Sequence, residues 1–191
     1  APAPAPPPSP TPGNSAPVAI VSGGEYIVAV AGATKVLAGS GNDTIIGGAS
    51  ADYLRGAEGN DLINGDAIFD DINGNQGDDT VNAEAGHDWV RGGKGNDVLD
   101  GGAGDDFLSG DRGDDTISGG SGSDTFHGSQ DAGIDRILDF NFAEGDHVVL
   151  DPGTTYSLMQ VGADTVIVMG TGHQMILVGV DIATLPAGWI V

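Results

Sequence analysis

The chain contains no cysteine. Disulfide staples are therefore excluded, and so are metal sites built on thiolate. Aromatic residues make up only 5% of the 191 positions, and Lys and Arg number six against 28 Asp and Glu, for a formal net charge of −22. So few bases disfavour a nucleic-acid partner or an anionic membrane surface, since both are bound through clustered cations. No apolar run reaches the ~20 residues that span a bilayer. The first residues lack the basic-then-apolar layout of a secretory signal peptide, so either such a signal has been removed or export works another way.

Glycine is abundant instead, at 34 residues of 191, against a usual share of ~7%. Scarce aromatics and strong self-repulsion are features of disordered chains, yet 39% of the residues are hydrophobic. Such a chain stays compact only if something cancels its charge.

Four segments are expected. Residues 1–17 hold eight of the ten prolines and read as an extended polyproline II linker to something upstream. Residues 18–37 read as capping strands. Residues 38–127 repeat every nine positions, ten times, without insertion or deletion. Residues 128–191 contain the runs RILDF, HVVL, SLMQV, DTVIVM, QMILVGV and WIV between turn residues, which suggests an antiparallel β cap.

The repeat is Gly-Gly-x-Gly-x-Asp-x-apolar-x. Its sixth position is aspartate in every copy: Asp43, Asp52, Asp61, Asp70, Asp79, Asp88, Asp97, Asp106, Asp115 and Asp124. Its eighth is always apolar: Ile45, Leu54, Ile63, Ile72, Val81, Val90, Leu99, Leu108, Ile117 and Phe126. Glycines let a six-residue turn adopt positive φ and aim carbonyls at an ion. Those counted in the metal turns are Gly39, Gly41, Gly59, Gly77, Gly93, Gly95, Gly102, Gly104, Gly113, Gly120 and Gly122. Aspartate supplies hard carboxylate oxygen, which suits Ca²⁺ with its six to eight oxygen ligands better than Mg²⁺, and the absence of soft donors argues against zinc, copper or iron.

These residues resemble the repeats-in-toxin (RTX) calcium-binding β-rolls of secreted bacterial proteins. The resemblance implies an all-β fold, a right-handed parallel β-roll with two nonapeptides per coil and two short parallel sheets. An N-terminal β cap and a C-terminal antiparallel β cap would complete it. Each ion would lie between turns 18 residues apart on one edge. One edge then carries Asp43, Asp61, Asp79, Asp97 and Asp115, with fourth-position glycine throughout, and is expected to be fully loaded. The other carries Asp52, Asp70, Asp88, Asp106 and Asp124. There Ser50 and Ile68 replace the fourth glycine, so only the Asp88–Asp106 and Asp106–Asp124 sites are expected to bind, and Asp52–Asp70 to be empty.

Residues 29–37 keep the register, with Gly32 and Val36 in place but Thr34 for aspartate, and read as a metal-free starting cap. At the far end Asp135 is expected to cap the first edge against Asp115, with Asp139 near the last ion. Residues 38–127 carry 19 acids and four bases, a net −15. About six to eight Ca²⁺ would nearly cancel it, turning binding free energy into folding free energy.

Other chemistry is thinly represented. His87, His127, His147 and His173 share no ligand or triad spacing, no GxSxG or nucleotide-binding loop occurs, and no catalytic or organic-cofactor residues are assigned. Trp89, Tyr53 and Phe107, all at position seven, are expected to form an outward patch. The resemblance implies a non-enzymatic folding and secretion module of a bacterial extracellular or cell-surface protein, with calcium ions and type I secretion machinery as partners. Two alternatives stand beside it. One is a surface structural protein (adhesin, surface-layer or filament subunit) that assembles with copies of itself. The other is a substrate-binding module beside an upstream enzyme.

Overall fold

A computed structural model describes residues 18–20, 23–24, 26–28, 35–129, 133–170 and 172–191. The linker expected over 1–17 and the Gly32 and Thr34 positions of the starting cap lie outside the described residues. The three residues after each sixth-position aspartate form a strand whose central side chain points inward. Strands 18 residues apart pair in parallel, as in the register Leu54↔Ile72↔Val90↔Leu108. Two sheets result. An eight-stranded sheet runs from Val18–Ile20 through Lys35–Leu37, Tyr53–Glu58, Asp71–Gln76, Trp89–Lys94, Phe107–Arg112 and Thr125–Gly128 to His147–Leu150. The other, ten-stranded, contains Tyr26–Val28, Thr44–Ile46, Leu62–Asn64, Thr80–Asn82, Val98–Ala103, Thr116–Ser121 and Ile134–Ile137. It continues through His173–Leu177 and Asp164–Met169 to Tyr156–Val161. The fold is the parallel β-roll that the repeat predicts.

The core is a double file of eighth-position side chains. Leu54, Ile72, Val90 and Leu108 from one sheet face Ile45, Ile63, Leu99 and Ile117 from the other, all essentially without solvent contact. Each such side chain contributes roughly 1.5–3 kcal/mol of burial. The file is one residue thick per sheet, so the edges must be held by something other than apolar packing. Val36 continues it upstream, in a strand that pairs with both Val18–Ile20 and Tyr53–Glu58.

Parallel pairing also runs past His127. Ile134–Ile137 and His147–Leu150 add parallel strands to the two sheets, so the antiparallel part of the expected cap is confined to Tyr156–Val161, Asp164–Met169 and His173–Leu177. Ile137 and Val148 take the inward position and prolong the core. Phe140 closes the end, 6.0 Å from both Phe126 and Trp189 between ring centroids.

Candidate metal centre

Each sixth-position aspartate is buried, and each from Asp61 to Asp124 reaches back one coil. Its Oδ1 accepts the main-chain N–H of the aspartate 18 residues earlier. On the first edge Asp61, Asp79, Asp97 and Asp115 accept from Asp43, Asp61, Asp79 and Asp97 at 2.7–2.8 Å. On the second, Asp70, Asp88, Asp106 and Asp124 accept from Asp52, Asp70, Asp88 and Asp106 at 2.7–3.0 Å. The second oxygen is different. In Asp61, Asp70, Asp79, Asp88, Asp97, Asp106, Asp115 and Asp124, Oδ2 is buried and meets no hydrogen-bond donor among the described residues.

An opposite ladder runs beside it at position five. Asn42, Asn60, Asp78 and Asn96 accept the N–H of the fifth residue one coil later at 2.8–3.0 Å. On the second edge His87 Nδ1 accepts from Asp105 and Asp105 from Ser123. Successive turns are thus clamped in both directions by side chains.

The glycines set how closely the turns approach. Gly59, Gly77, Gly95 and Gly113 have φ between +124° and +135°, and a Cβ on any of them would overlap the carbonyl oxygen of the fourth-position glycine one coil earlier, beginning with Gly41. Gly104 and Gly122 do the same on the second edge, against Gly86 and Gly104. The second-position residues Gly93, Gly102 and Gly120 also take positive φ and approach a carbonyl one coil earlier. Gly39 differs, because it does not take a positive φ. First-position glycines, which the sequence reading left out of the site, pack directly against its carboxylates. A Cβ at Gly56, Gly74, Gly92 or Gly110 would overlap Oδ2 of the aspartate in its own turn. Their signal was present, since position one is glycine in eight of the ten copies.

Electrostatically these carboxylates are under stress. Burial raises Asp61 to about 6, Asp79, Asp88, Asp97, Asp106 and Asp124 to about 7, and Asp70 to about 8. The N–H accepted from the preceding coil opposes the rise without cancelling it. Asp70 is also repelled by Asp88, Asp52 and Asp66. Among the described residues no three carboxylate or histidine side chains converge on one point. A cation on either edge would have to draw on the aspartate rungs together with main-chain oxygen. Buried oxygens without a donor, crowded carbonyls and no soft ligand fit a hard, oxygen-seeking cation such as Ca²⁺.

The two edges differ less than their sequences. The ladder passes through Asp52, Asp70 and Asp88 unbroken. The damage is conformational: Ile68 stands where glycine belongs and is held at φ +74°, in the left-handed region that a β-branched residue rarely enters. At the far end Asp135 is buried, and its Oδ1 lies 3.3 Å from the main-chain N of Asp115. Burial raises both carboxyls of this pair, Asp135 to about 8. Asp139 accepts from Gly119 and Gly120 at 2.9 Å. Asp146 closes the second edge, accepting the N–H of Asp124 at 2.9 Å. The sequence reading missed it because its spacing from Asp124 is 22 residues, although Gly145-Asp146-His147-Val148 preserves the aspartate-x-apolar order.

A second constellation sits on the outer face of the eight-stranded sheet, where the sequence suggested none. Ser109 Oγ is 3.3 Å from His127 Nδ1, and His127 Nε2 is 3.3 Å from Asp151 Oδ1. The order serine, histidine, aspartate is that of a nucleophilic triad. Ser109, however, is only 2% exposed and donates its hydroxyl to Asp111 at 2.6 Å, so it offers substrate no accessible nucleophile.

The RTX calcium-binding nonapeptide repeat, as a family model of four copies, matches residues 37–67, 64–99 and 100–135, just over half of the chain. Among solved structures, the extracellular lipase LipA from Serratia marcescens is 21% identical and aligns over 87% of this chain at a TM-score of 0.42. This chain spans 42% of the lipase. The solution structure of the AlgE6R3 subunit from the Azotobacter vinelandii mannuronan C5-epimerase is 24% identical, over 90% of this chain and 78% of that one, at a TM-score of 0.26. Curated protein sequences give no match. The parallel roll, the aspartate ladders and the matched repeats together establish that the chain belongs to the RTX calcium-binding nonapeptide repeat family.

Proposed function

We propose that calcium folds this roll, and that the roll serves as the folding and secretion module of a bacterial extracellular or cell-surface protein. The observation that carries the reading is the set of eight buried aspartate Oδ2 atoms without a donor. An unsatisfied buried polar atom costs ~1–3 kcal/mol, and more when charged. Eight of them together match or exceed the ~5–15 kcal/mol by which a domain is ordinarily stable. The metal-free chain at neutral pH is then mostly unfolded, and cations supply the missing interaction. Asp43, Asp61, Asp79, Asp97, Asp115 and Asp135 hold ions along the first edge. On the second edge Asp88, Asp106 and Asp124 hold them, with Asp146 as the closing rung. About six to eight ions fit the charge to be neutralised. The site between Asp52 and Asp70 stays empty or weak, because Ile68 strains the turn beside it.

A chain that is unfolded at cytosolic calcium and folded at external calcium suits passage through a type I secretion channel. The test is export of the chain fused behind a reporter, in cells carrying such a channel. Folded reporter should accumulate in medium with millimolar calcium and fall sharply when external calcium is chelated. Equal recovery in both media, or none with the channel present, would contradict the secretion role.

Assembly with copies of itself is a second reading, favoured by one feature. Tyr156–Val161 lies at the edge of the ten-stranded sheet with all six residues exposed, and it carries neither charge nor proline to blunt pairing. Sedimentation in calcium decides between them: a stable monomer at high concentration rules assembly out.

A further inference from the structure

The two sheets end differently at the C-terminal end of the roll. On the eight-stranded sheet, His147–Leu150 is covered by the last residues of the chain. Val148 donates its N–H to the Trp189 carbonyl at 2.8 Å, and Val191 donates back to Val148 at 3.0 Å. The ten-stranded sheet ends on Tyr156–Val161, whose outer side pairs with no other described strand.

The hairpin fixes what that edge presents. Gly162, at φ +65°, opens a two-residue turn between Val161 and its register partner Asp164. The antiparallel ladder alternates from there, and at its far end Gly170 donates to the Thr155 carbonyl. Ser157, Met159 and Val161 therefore turn their main-chain groups toward the neighbouring strand, while Tyr156, Leu158 and Gln160 turn theirs outward. The edge is also held in place. Gln160 Oε1 accepts the N–H of Ile182 at 2.8 Å, and its Nε2 donates to the Asp164 carbonyl at 3.0 Å.

This last strand overhangs the core. Tyr156 and Leu158 lie opposite Met169 and Ile167, which have no solvent contact, so the four share the core-side face. Tyr156 is nevertheless 46% exposed and Leu158 37%. Charge is thin here as well. Residues 147–191 hold only three of the 28 acids, Asp151, Asp164 and Asp181, and no Lys or Arg.

We propose that Tyr156–Val161 pairs antiparallel with the same strand of a second copy, about a two-fold axis at Leu158, to give a closed dimer. The proposal rests on the self-assembly reading and fixes its form as a pair and not a filament. About that axis Leu158 meets its own copy and Tyr156 meets the partner's Gln160, so outward main-chain groups face outward main-chain groups. The two overhangs also cover each other's core-side Tyr and Leu. A second copy is the favoured occupant on charge. Each chain carries a net −22, and this end lets two of them meet with least repulsion. A charged partner, by contrast, finds no ion to pair with anywhere in the strand. Pairing uses up the edge, so assembly stops at two.

The test is sedimentation equilibrium of the full chain in saturating calcium. Circular dichroism on each sample reports folding separately, so failure of calcium-dependent folding is distinguishable from failure to dimerise. A monomer–dimer equilibrium that goes no further is expected. Leu158→Lys and Leu158→Glu each set like charges opposite one another and should weaken the dimer by about tenfold or more. Their equimolar mixture should recover it, because position 158 meets position 158. Tyr156→Pro, at the first residue of the strand, removes one outward N–H and leaves the inner ladder intact, so it should weaken the dimer too. A folded chain that stays monomeric at high concentration overturns the proposal. Assembly that grows beyond two, or that persists unchanged in Leu158→Lys, keeps the self-assembly reading and overturns this interface. A mixture that fails to recover the dimer overturns the two-fold register.

Discussion

Asp97 accepts the main-chain N–H of Asp79 at 2.7 Å through one carboxylate oxygen, while its other oxygen is buried without a donor. The same residue thus ties two coils together and leaves half of its charge unanswered. Replacing it by Asn keeps the Oδ1 acceptor and removes the charge. A charge-assisted hydrogen bond contributes ~1.5–3 kcal/mol against ~0.5–1.5 for a neutral one, so about 1–2 kcal/mol of calcium-loaded stability is lost. Asp97→Asn should raise the calcium midpoint several-fold and still reach the parent's folded signal at saturation. An unchanged midpoint would remove Asp97 from the metal site.

Turn conformation gives a pair of opposed expectations. Gly95 sits at φ +133° with its Cα against the Gly77 carbonyl, so Gly95→Ala brings both backbone strain and overlap. The calcium-loaded chain should lose ~2–5 kcal/mol, read from urea unfolding. Ile68 is the reverse case, held at φ +74° and 56% exposed, so its side chain adds little to the core. Ile68→Gly relieves ~1–3 kcal/mol of strain against ~0.5–1 of added chain entropy, for a net gain of about 1 kcal/mol. It should also strengthen calcium binding on the second edge. Destabilisation by Ile68→Gly would contradict the account of that turn.

The pH dependence of the metal-free chain follows from the carboxyls. Their folded-state values are raised by burial to between about 6 and about 8, above the ordinary 3.8. A raised value means the folded form holds protons that the unfolded form has released. The stabilisation is therefore complete below the ordinary value and disappears as pH rises through about 6–8. Metal-stripped protein should gain β signal on acidification and lose it towards neutrality. Calcium competes with the same protons, so its affinity should climb across that window. A calcium affinity flat between those limits would contradict the assignment of the buried aspartates as ligands.

Much of this architecture was legible because the repeat writes position and chemistry together. Aspartate at six and an apolar residue at eight, ten times over, define both edges and the core file. Asp135 was legible as a closing rung because two inserted residues still leave Asp-x-Ile in register. Asp146 was not, because four extra residues carry it out of the period and only the fold returns it to the edge. The pairing of Ser109 with His127 and Asp151 was hidden for a related reason: one coil and a longer turn separate residues that stack on neighbouring strands. Strand direction beyond His127 was misjudged because HVVL and RILDF have the same apolar character in parallel and antiparallel sheets.

The central claim is that calcium folds the chain, and far-UV circular dichroism during a calcium titration from a chelated start tests it most directly, with magnesium as the control. A cooperative rise in β signal with calcium alone, complete by millimolar concentration, is the predicted result. A chain already folded in chelator at neutral pH and indifferent to calcium would contradict the claim and leave the buried aspartates without a cation to explain them.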